Sequence, residues 1–533
     1  MSAGVTTTPG DGALPRVQAL PLAALAGAVT VPGFAPFYLF PLPVATLALL
    51  IVLWRRTASR RDAALTGFSF GLGYFLTGVS WVYVSLHDFG AMPALLAAAV
   101  TLLFCAYLAL YPAVTGWIYY VLGPRSALAT LAALPALWTL ADWLRGWLFT
   151  GFPWLALGYA QVPDSPLAGY LPLLGIYGAT LATAVSAGAI VTLWAHWKDE
   201  KTRMKAEGKN RPRFPSFIIH HSSFIIAVIW IGGYALRYID WTTPTGAPLA
   251  VSLLQGNIPQ EMKWRSDRVT STLETYRSLV NSSNARLILL PETALPMYLH
   301  DVPKDYLDGL AAHARSNGGD VLIGVPERSD ARDYYNSVLS FGAAPTQTYR
   351  KSHLVPFGEF VPLKPVFGWF LEVTQIPLLD FARGAETQQP LAVASQRIAV
   401  NICYEDAFGA EIIRQLPQAT LLANVSNVAW FGRSVAPQQH LQISQARALE
   451  TGRYMLRATN TGMTAIIDQH GKVRSVAPEF TAAVVSGEVQ GYAGATPYVR
   501  WGNAPISVLA LLLLAGGWLG LREAGKIRGL PRR

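Results

Sequence analysis

The sequence predicts a two-part protein, with a bundle of about eight membrane-spanning helices and a water-exposed α/β domain. The 533 residues are 52% hydrophobic, with a mean hydropathy of +0.31, which is more apolar than a soluble core requires. The apolar excess is uneven: residues 18–238 and 504–521 hold long apolar stretches, whereas residues 248–490 mix charged and apolar side chains. We therefore expect two parts that are adapted to two solvents.

The long apolar stretches define the predicted membrane part. Residues 1–15 are rich in Gly, Thr and Pro and predict a disordered tail. We expect the bundle at 16–238, the α/β domain at 239–503, a final transmembrane helix at 504–521 and a basic tail at 522–533. Judged against the roughly 20 residues that cross a bilayer, the predicted spans are 17–34, 37–54, 64–86, 92–122, 126–149, 168–196, 216–237 and 504–521.

Clusters of basic residues orient the predicted spans, and they explain the net charge of +10 better than nucleic-acid binding does. With eight spans, all three clusters lie on one side, which the positive-inside rule makes cytoplasmic. Both termini are then cytoplasmic and the α/β domain faces the periplasm of a bacterial inner membrane. The clusters are Arg55, Arg56, Arg60 and Arg61; Lys198, Lys201, Arg203, Lys205, Lys209, Arg211 and Arg213; and Arg522, Lys526, Arg528, Arg532 and Arg533.

Two features are predicted near the outer surface of the bundle. The connection from Trp147 to Leu167 is aromatic and nearly uncharged, which is typical of the membrane interface. Asp142 and Arg145 lie three residues apart at the outer end of the fifth span. Such ionisable residues are either functional or a local ion pair that reaches toward the interface.

Short apolar runs and helical patterns alternate between residues 248 and 490, which predicts strands and helices in a layered α/β domain. The predicted strands are 250–254, 287–290, 321–325, 397–402, 420–424 and 464–468. The predicted helices are 267–283, 306–316 and 438–451.

The chain has two cysteines, Cys105 in an apolar span and Cys403 in the α/β domain, so we expect no structural disulfide. Cys403 directly follows the strand 397–402 and precedes two acids. A cysteine at the end of a buried strand is well placed to act as a nucleophile. A buried cysteine is also commonly a small core hydrophobe, so this segment alone leaves both interpretations open.

Three motifs at predicted strand ends carry a resemblance. They are Leu290-Pro291-Glu292-Thr293, the segment from Tyr349 through Lys351 and Pro356-Phe357-Gly358-Glu359, and Asn401-Ile402-Cys403-Tyr404-Glu405. Together they resemble the nitrilase (carbon–nitrogen hydrolase) superfamily. Within it, they are similar to the apolipoprotein N-acyltransferase family, whose pattern the segments 255–260, Lys263-Trp264, Tyr335-Asn336-Ser337 and 358–362 also match.

The resemblance implies an αββα sandwich for the α/β domain, with Cys403 as nucleophile, Glu292 as general base and Lys351 as the cation that supports the oxyanion. Chemistry agrees with these roles, because a carboxylate that accepts the thiol proton activates the sulfur. A fixed cation also stabilises the tetrahedral intermediate. Glu359, Tyr404, Glu405 and Asn336 are implied as supporting residues, and Trp264, Phe357 and Trp369 as lipid contacts.

Alternatives stay open for several of these residues. Taken singly, Glu292 is also compatible with a loop acid and Lys351 with a solvated charge. Glu405 is equally compatible with a helix cap, and Trp264 and Tyr404 with core packing. The segment 361–381 carries Phe367, Trp369, Phe370 and Leu371, which predict a mobile hydrophobic lid; an ordinary packed loop is the alternative.

The resemblance implies a transferase of lipoprotein maturation. By this resemblance, we expect a fatty acyl chain to pass from a phospholipid to Cys403 as a thioester, and then to the N-terminal amine of an S-diacylglyceryl-cysteine apolipoprotein. The histidines and cysteines lack metal-binding spacing and no Walker motif is present, so we expect no metal, ATP or other cofactor. We expect a monomer with lipid and apolipoprotein partners in the inner membrane.

Two other functions compete with this prediction. A membrane-tethered nitrilase-type amidase or hydrolase would use the same three residues but transfer the acyl group to water. A non-enzymatic membrane interaction module would leave Cys403 unreactive.

Overall fold

The computed structural model describes residues 14–207, 216–329, 333–363, 365, 380–523 and 525. Helices lie in all eight apolar segments identified in the sequence. The helices of the membrane part are α1 (Arg16–Thr30), α2 (Pro41–Arg55), α3 (Arg60–Val79), α4 (Ala94–Val121), α5 (Leu134–Arg145), α6 (Leu171–Glu207) and α7 (Ser216–Leu236). The helices of the α/β part are α8 (Val269–Asn281), α9 (Lys304–Ser316) and α10 (Ala436–Thr451), and the last apolar helix is α11 (Ala504–Glu523).

Length and composition separate these apolar helices into classes. Among the described residues, the helical stretches Ala94–Val121, Pro166–Arg203 and Ala504–Glu523 are long and apolar enough to cross a membrane. The pair Arg60–Val79 and Val82–Phe89, bent by 55°, passes the same test when it is taken together. Pro41–Arg55 and Ser222–Leu236 are apolar but shorter. A helical bundle is therefore present, and the count of eight spans stays a prediction.

Twelve strands lie in the described part of the α/β region and form two six-stranded sheets. The first sheet has the order β12-β1-β2-β3-β4-β5, and the second has the order β11-β10-β9-β8-β7-β6. The first sheet contains β1 (Thr243–Gln255), β2 (Leu287–Leu289), β3 (Asp320–Arg328), β4 (Tyr334–Gly342), β5 (Thr348–Arg350) and β12 (Ala483–Ala493). The second contains β6 (Leu391–Val393), β7 (Gln396–Ile402), β8 (Leu421–Ser426), β9 (Met455–Thr459), β10 (Ala465–Ile467) and β11 (Val473–Val476).

The two sheets pack face to face because side chains alternate along each strand. Leu253 and Leu289 of the first sheet meet Val400 and Leu421 of the second in one buried cluster. Residues of opposite parity, such as Ile288, instead pack outward with α8 and α9. Helix α10 covers the outer face of the second sheet, so the domain is a four-layer αββα sandwich.

Helix α10 also joins the sandwich to the bundle. Nearly all of its residues are buried, because Leu441 faces the sheet cluster while Ile443 and Ala446 belong to the core of the bundle. Gln439 accepts hydrogen bonds from the indole nitrogens of Trp81 (3.3 Å) and Trp154 (2.7 Å). Helix α10 therefore contributes side chains to the cores of both the sandwich and the helical bundle.

The sequence predicted six of these strands, and three of the omitted ones, β4, β9 and β12, have clear physical reasons. Strand β4 carries Asn336, Ser337 and Ser340 at buried positions, so it lacks an apolar run. Strand β9 contains the fully buried Arg457, and β12 is mostly half-exposed and includes glycines. Buried polar residues that have hydrogen-bond partners interrupt the apolar pattern from which a strand is predicted.

Candidate active site

Three side chains that can take part in acid–base or nucleophilic chemistry follow the ends of three strands. Glu292 lies just beyond β2, Lys351 directly follows β5, and Cys403 directly follows β7. The first two strands belong to one sheet and β7 to the other. The Lys351 ammonium lies 3.5 Å from the Glu292 carboxylate, and both charges act on the Cys403 thiol. The sandwich thus brings the predicted trio together where its two sheets end.

The Glu292 carboxylate is fixed by donors from three different segments. Its Oε1 accepts from Asn336 Nδ2 at 2.7 Å and from Lys351 Nζ at 3.5 Å. Its Oε2 accepts from the backbone N–H of Asn427 at 2.8 Å. Glu292 is 7% exposed. A carboxylate held this way has a defined orientation, which a general base requires.

Lys351 is buried between two carboxylates. Its Nζ lies 2.9 Å from Glu359, in addition to its contact with Glu292. Burial alone would lower the pKa of Lys351, but Glu359 and Glu292 outweigh burial and raise this pKa above its usual range. Asn336 donates to both carboxylates, at 2.7 Å to Glu292 and 3.0 Å to Glu359. Glu359 and Asn336 therefore hold a permanent cation beside Glu292.

Cys403 adopts an unusual backbone conformation at the end of β7. Its φ is +54°, in the left-handed region that residues with a side chain rarely adopt. Its side chain is partly exposed. Burial of the ionised form and the neighbouring Glu292 carboxylate raise the pKa of the thiol to about 12, although Lys351 opposes the shift. A thiol with a pKa in this range keeps its proton near neutral pH.

Glu405 connects the loop that contains Cys403 to the loop that contains Lys351. One carboxylate oxygen accepts from the backbone N–H of Ile402 at 2.7 Å, and the other accepts from the N–H groups of Ser352 at 2.7 Å and His353 at 3.0 Å. The Tyr349 hydroxyl donates a further bond at 3.0 Å. Burial raises the pKa of Glu405 despite these donors. Its contacts fit a capping and bracing role.

Tyr404 attaches the same loop to the membrane part. Its hydroxyl donates to the backbone carbonyl of Gly151 at 2.8 Å, and its ring packs against Phe408 and His353. Gly151 follows Phe149 and Thr150, and all three residues have positive φ. The Phe149 side chain is 76% exposed at this turn. The site therefore adjoins the aromatic connection that the sequence places at the membrane interface.

The structure describes two of the three residues that are predicted to contact lipid. Phe357 is half-buried and packs with Met92, Ala97 and Val361, next to the start of α4. Trp264 is half-buried and directly follows the buried Lys263. Trp369 and the other predicted lid aromatics lie outside the described residues.

Sequence reasoning did not assign a role to three residues that line the site. The buried Lys263 donates to the backbone carbonyl of Glu292 at 3.2 Å, and burial lowers its pKa to about 8. Asn427 supplies an N–H group to Glu292, and the ring of His440 lies 3.2 Å from the Cys403 carbonyl. Lys263 was visible only as part of a matched motif, and the positions of Asn427 and His440 depend on tertiary packing.

Asp142 and Arg145 form a buried ion pair of 2.9 Å within the bundle. Arg145 also donates to the backbone carbonyl of Trp154 at 2.7 Å, and Asp142 accepts from the N–H of Leu157 at 3.1 Å. Arg145 is 1% exposed, so its guanidinium lies inside the protein and not on its surface. The pair therefore fixes the backbone of the connection from Trp147 to Leu167, which contacts α10 through Trp154.

Comparison with protein families gives two matches along the chain. Residues 26–189 match the model of the apolipoprotein N-acyltransferase N-terminal domain. Residues 250–498 match the carbon-nitrogen hydrolase model. The second range contains Glu292, Lys351 and Cys403.

Curated relatives match almost the whole chain. A protein of Nitrosomonas europaea named apolipoprotein N-acyltransferase is 54% identical over 492 residues, covering 92% of this chain and 95% of the relative. A protein of the same name from Chromobacterium violaceum is 46% identical over 501 residues, covering 93% of each chain. Among solved structures, the C. elegans NitFhit protein matches with a TM-score of 0.36 and 16% identity, covering 50% of this chain and 65% of that one.

Proposed function

This chain belongs to the apolipoprotein N-acyltransferase family, and we propose that it acylates bacterial lipoproteins through a thioester on Cys403. The acyl donor is a membrane phospholipid, and the acceptor is the N-terminal amine of an S-diacylglyceryl-cysteine. The observation that carries this proposal is the meeting of Glu292, Lys351 and Cys403 at one end of the sandwich, beside the membrane part.

The first half-reaction forms the acyl-enzyme. The Cys403 sulfur attacks the ester carbonyl as Glu292 takes the thiol proton, and the C–O bond of the ester then breaks. Glu292 returns the proton to the departing lysophospholipid alkoxide. The high thiol pKa and the anchored carboxylate support this coupled transfer, because the thiol is protonated until the base acts.

The second half-reaction uses the same groups in the opposite direction. The neutral acceptor amine attacks the thioester carbonyl, Glu292 takes a proton from the nitrogen, and the C–S bond breaks as the sulfur regains that proton. An amide product and the free thiol result. Lys351 stabilises the tetrahedral oxyanion in both halves, and Glu359 keeps it charged.

The surface of the helical part supports a location in the bilayer. Helices α4 and α11 carry many exposed apolar side chains, including Leu103, Leu511 and Leu512. Apolar faces of this extent need an apolar surrounding. We place the bundle in the inner membrane with about eight spans, cytoplasmic termini and a periplasmic sandwich, as the basic clusters indicate.

Acyl transfer in reconstituted vesicles tests this function. Wild type and Cys403→Ala are incubated in phospholipid vesicles with a diacylglyceryl-cysteine peptide, and the peptide amide and free fatty acid are quantified by mass spectrometry. We expect amide and lysophospholipid in equal amounts from wild type only. Fatty acid as the main product would support a hydrolase instead, and absence of both the amide and the fatty acid would support an interaction module.

A further inference from the structure

Two side chains lie within hydrogen-bond distance of the backbone carbonyl oxygen of Cys403. His440 Nε2 lies 3.2 Å from this oxygen and Asn424 Nδ2 lies 3.3 Å from it. The backbone of Cys403 is in the left-handed region, with φ +54°. Such a conformation persists only where surrounding contacts hold it. The two donors therefore act on the peptide group that fixes the direction of the thiol.

The contacts of His440 define its tautomer. A carbonyl oxygen only accepts, so Nε2 carries the hydrogen. His440 is 1% exposed, and its Nδ1 has no hydrogen-bond partner within the described residues. Burial and the nearby Arg457 guanidinium hold the pKa of His440 well below its usual range. The neutral ring therefore supplies one donor, and that donor points at the backbone carbonyl of Cys403.

The charged groups around His440 are themselves paired. Asp406 Oδ2 lies 3.7 Å from His440 Nε2 and 3.6 Å from Arg457 Nη1, and it also accepts from the Ser444 hydroxyl. Arg457 donates to Asn424 at 2.6 Å. One connected network thus orients both donors to the Cys403 carbonyl.

The membrane part packs against this ring. The Trp154 ring centroid lies 5.4 Å from that of His440, and the Trp154 indole donates to Gln439, the neighbouring residue on α10. Arg145 fixes the backbone of Trp154. A bundle loop therefore reaches the nucleophile through a single intervening side chain.

We propose that His440 is a positioning residue, whose Nε2–H group orients the Cys403 peptide and whose ring is held in place by Trp154 of the bundle. This inference rests on the proposed acyl transfer. The bond fixes the sulfur relative to Glu292 and Lys351, and a displacement of about 1 Å in such a site slows chemistry by about 100-fold. A purely space-filling role for His440 would require no donor at this position.

Two substitutions of similar polarity separate these roles. In His440→Gln, the side-chain amide places its N–H₂ close to the position of Nε2, whereas the shorter side chain of His440→Asn places it near Nδ1. His313→Gln is the matched control, because His313 lies on α9, far along the chain from Cys403, and within the described residues its Nε2 contacts the backbone of Ser283 and the side chain of Asn317. The readout is the single-turnover rate of acyl-enzyme formation from phosphatidylethanolamine vesicles, followed by intact mass.

We expect wild type, His313→Gln and His440→Gln to acylate at rates of the same order. We expect His440→Asn to be slowed by about 100-fold at saturating vesicles, with an unchanged vesicle concentration for half-maximal rate. Equal rates for Gln and Asn, whether fast or slow, would overturn the inference, and so would a defect that appears only in half-saturation. If His440→Asn does not fold, His440→Gln decides alone: wild-type speed supports the role, and slow or unfolded protein contradicts it. Absence of acyl-enzyme in wild type would instead refute the proposed function.

Discussion

Two buried clusters of charge in this protein have different compositions. At the strand ends, the Lys351 ammonium faces two carboxylates, Glu292 and Glu359, beside a partly exposed thiol. Where α10 meets the bundle, the Arg447 guanidinium pairs with the Glu450 carboxylate at 3.0 Å. Glu450 also accepts from the backbone N–H of Ile176 in α6 at 2.8 Å. A carboxylate beside a thiol allows proton transfer, whereas the matched pair of Arg447 and Glu450 closes an interface.

Among the tests of this contrast between the two clusters, removing the base should have the largest effect on the reaction rate. Glu292→Gln retains a hydrogen-bonding side chain but cannot accept the thiol proton. We expect acyl-enzyme formation to fall by about 10²- to 10⁴-fold, the range typical of general-base removal. Single-turnover mass spectrometry with phospholipid vesicles measures the rate. An unchanged rate would show that another group takes the proton.

Removing the cation should have the next largest effect. Lys351→Met keeps the length of the side chain but leaves the developing oxyanion without its charge. We expect both half-reactions to slow by about 10²- to 10³-fold. The two rates are followed separately, as acyl-enzyme formation and as its discharge by the peptide amine. A defect in only one half would contradict a shared oxyanion role.

Breaking the matched pair should lower the stability of the fold and leave the acylation rate nearly unchanged. Arg447→Met leaves the Glu450 carboxylate buried without its cation, which typically costs about 3–5 kcal/mol. We expect a lower thermal midpoint in detergent, with an acylation rate per folded molecule close to that of wild type. A large loss of rate without loss of stability would place Arg447 in the reaction and erase the contrast between the clusters.

The raised pKa of Cys403 predicts a smaller effect, on the rate of thiol alkylation, and it fixes the direction of that effect. Burial and the Glu292 charge raise the pKa of Cys403 to about 12. Iodoacetamide alkylation of wild type should therefore keep increasing above pH 9, where a free thiol of pKa about 8.5 is already mostly ionised. Removing the negative charge in Glu292→Gln lowers this pKa, so alkylation at each pH should rise although acylation falls. Slower alkylation in the variant would reverse the proposed electrostatics.

An exposed ion pair should show no effect and serves as the reference for the buried clusters. Arg265 and Asp267 lie 3.0 Å apart, and both side chains are more than half exposed. Water screens such a pair. We expect Arg265→Ala to match wild type in thermal midpoint and acylation rate. A clear change in either would mean that exposure does not separate structural from functional charge here.

Much of the fold could be predicted from the sequence because apolar content marks membrane helices and strand ends carry motifs. The Glu292, Lys351 and Cys403 segments were identified as candidates, and the structure places them together. Asn427, Lys263 and His440 could not be assigned, because their importance arises from contacts across more than 100 residues or from a backbone carbonyl that no pattern encodes. Strand β4 was missed because Asn336, Ser337 and Ser340 occupy three of its five buried positions.

The central claim is that Cys403 carries the acyl group, and peptide mapping of the acyl-enzyme tests it most directly. Wild type is mixed with phospholipid vesicles, quenched in acid and digested with trypsin, which releases Cys403 in the segment 398–414 and Cys105 in another peptide. We predict a fatty-acyl mass increment on the 398–414 peptide alone, removed by neutral hydroxylamine and absent in Cys403→Ala. An increment on any other peptide, or one that persists in Cys403→Ala, would contradict the account.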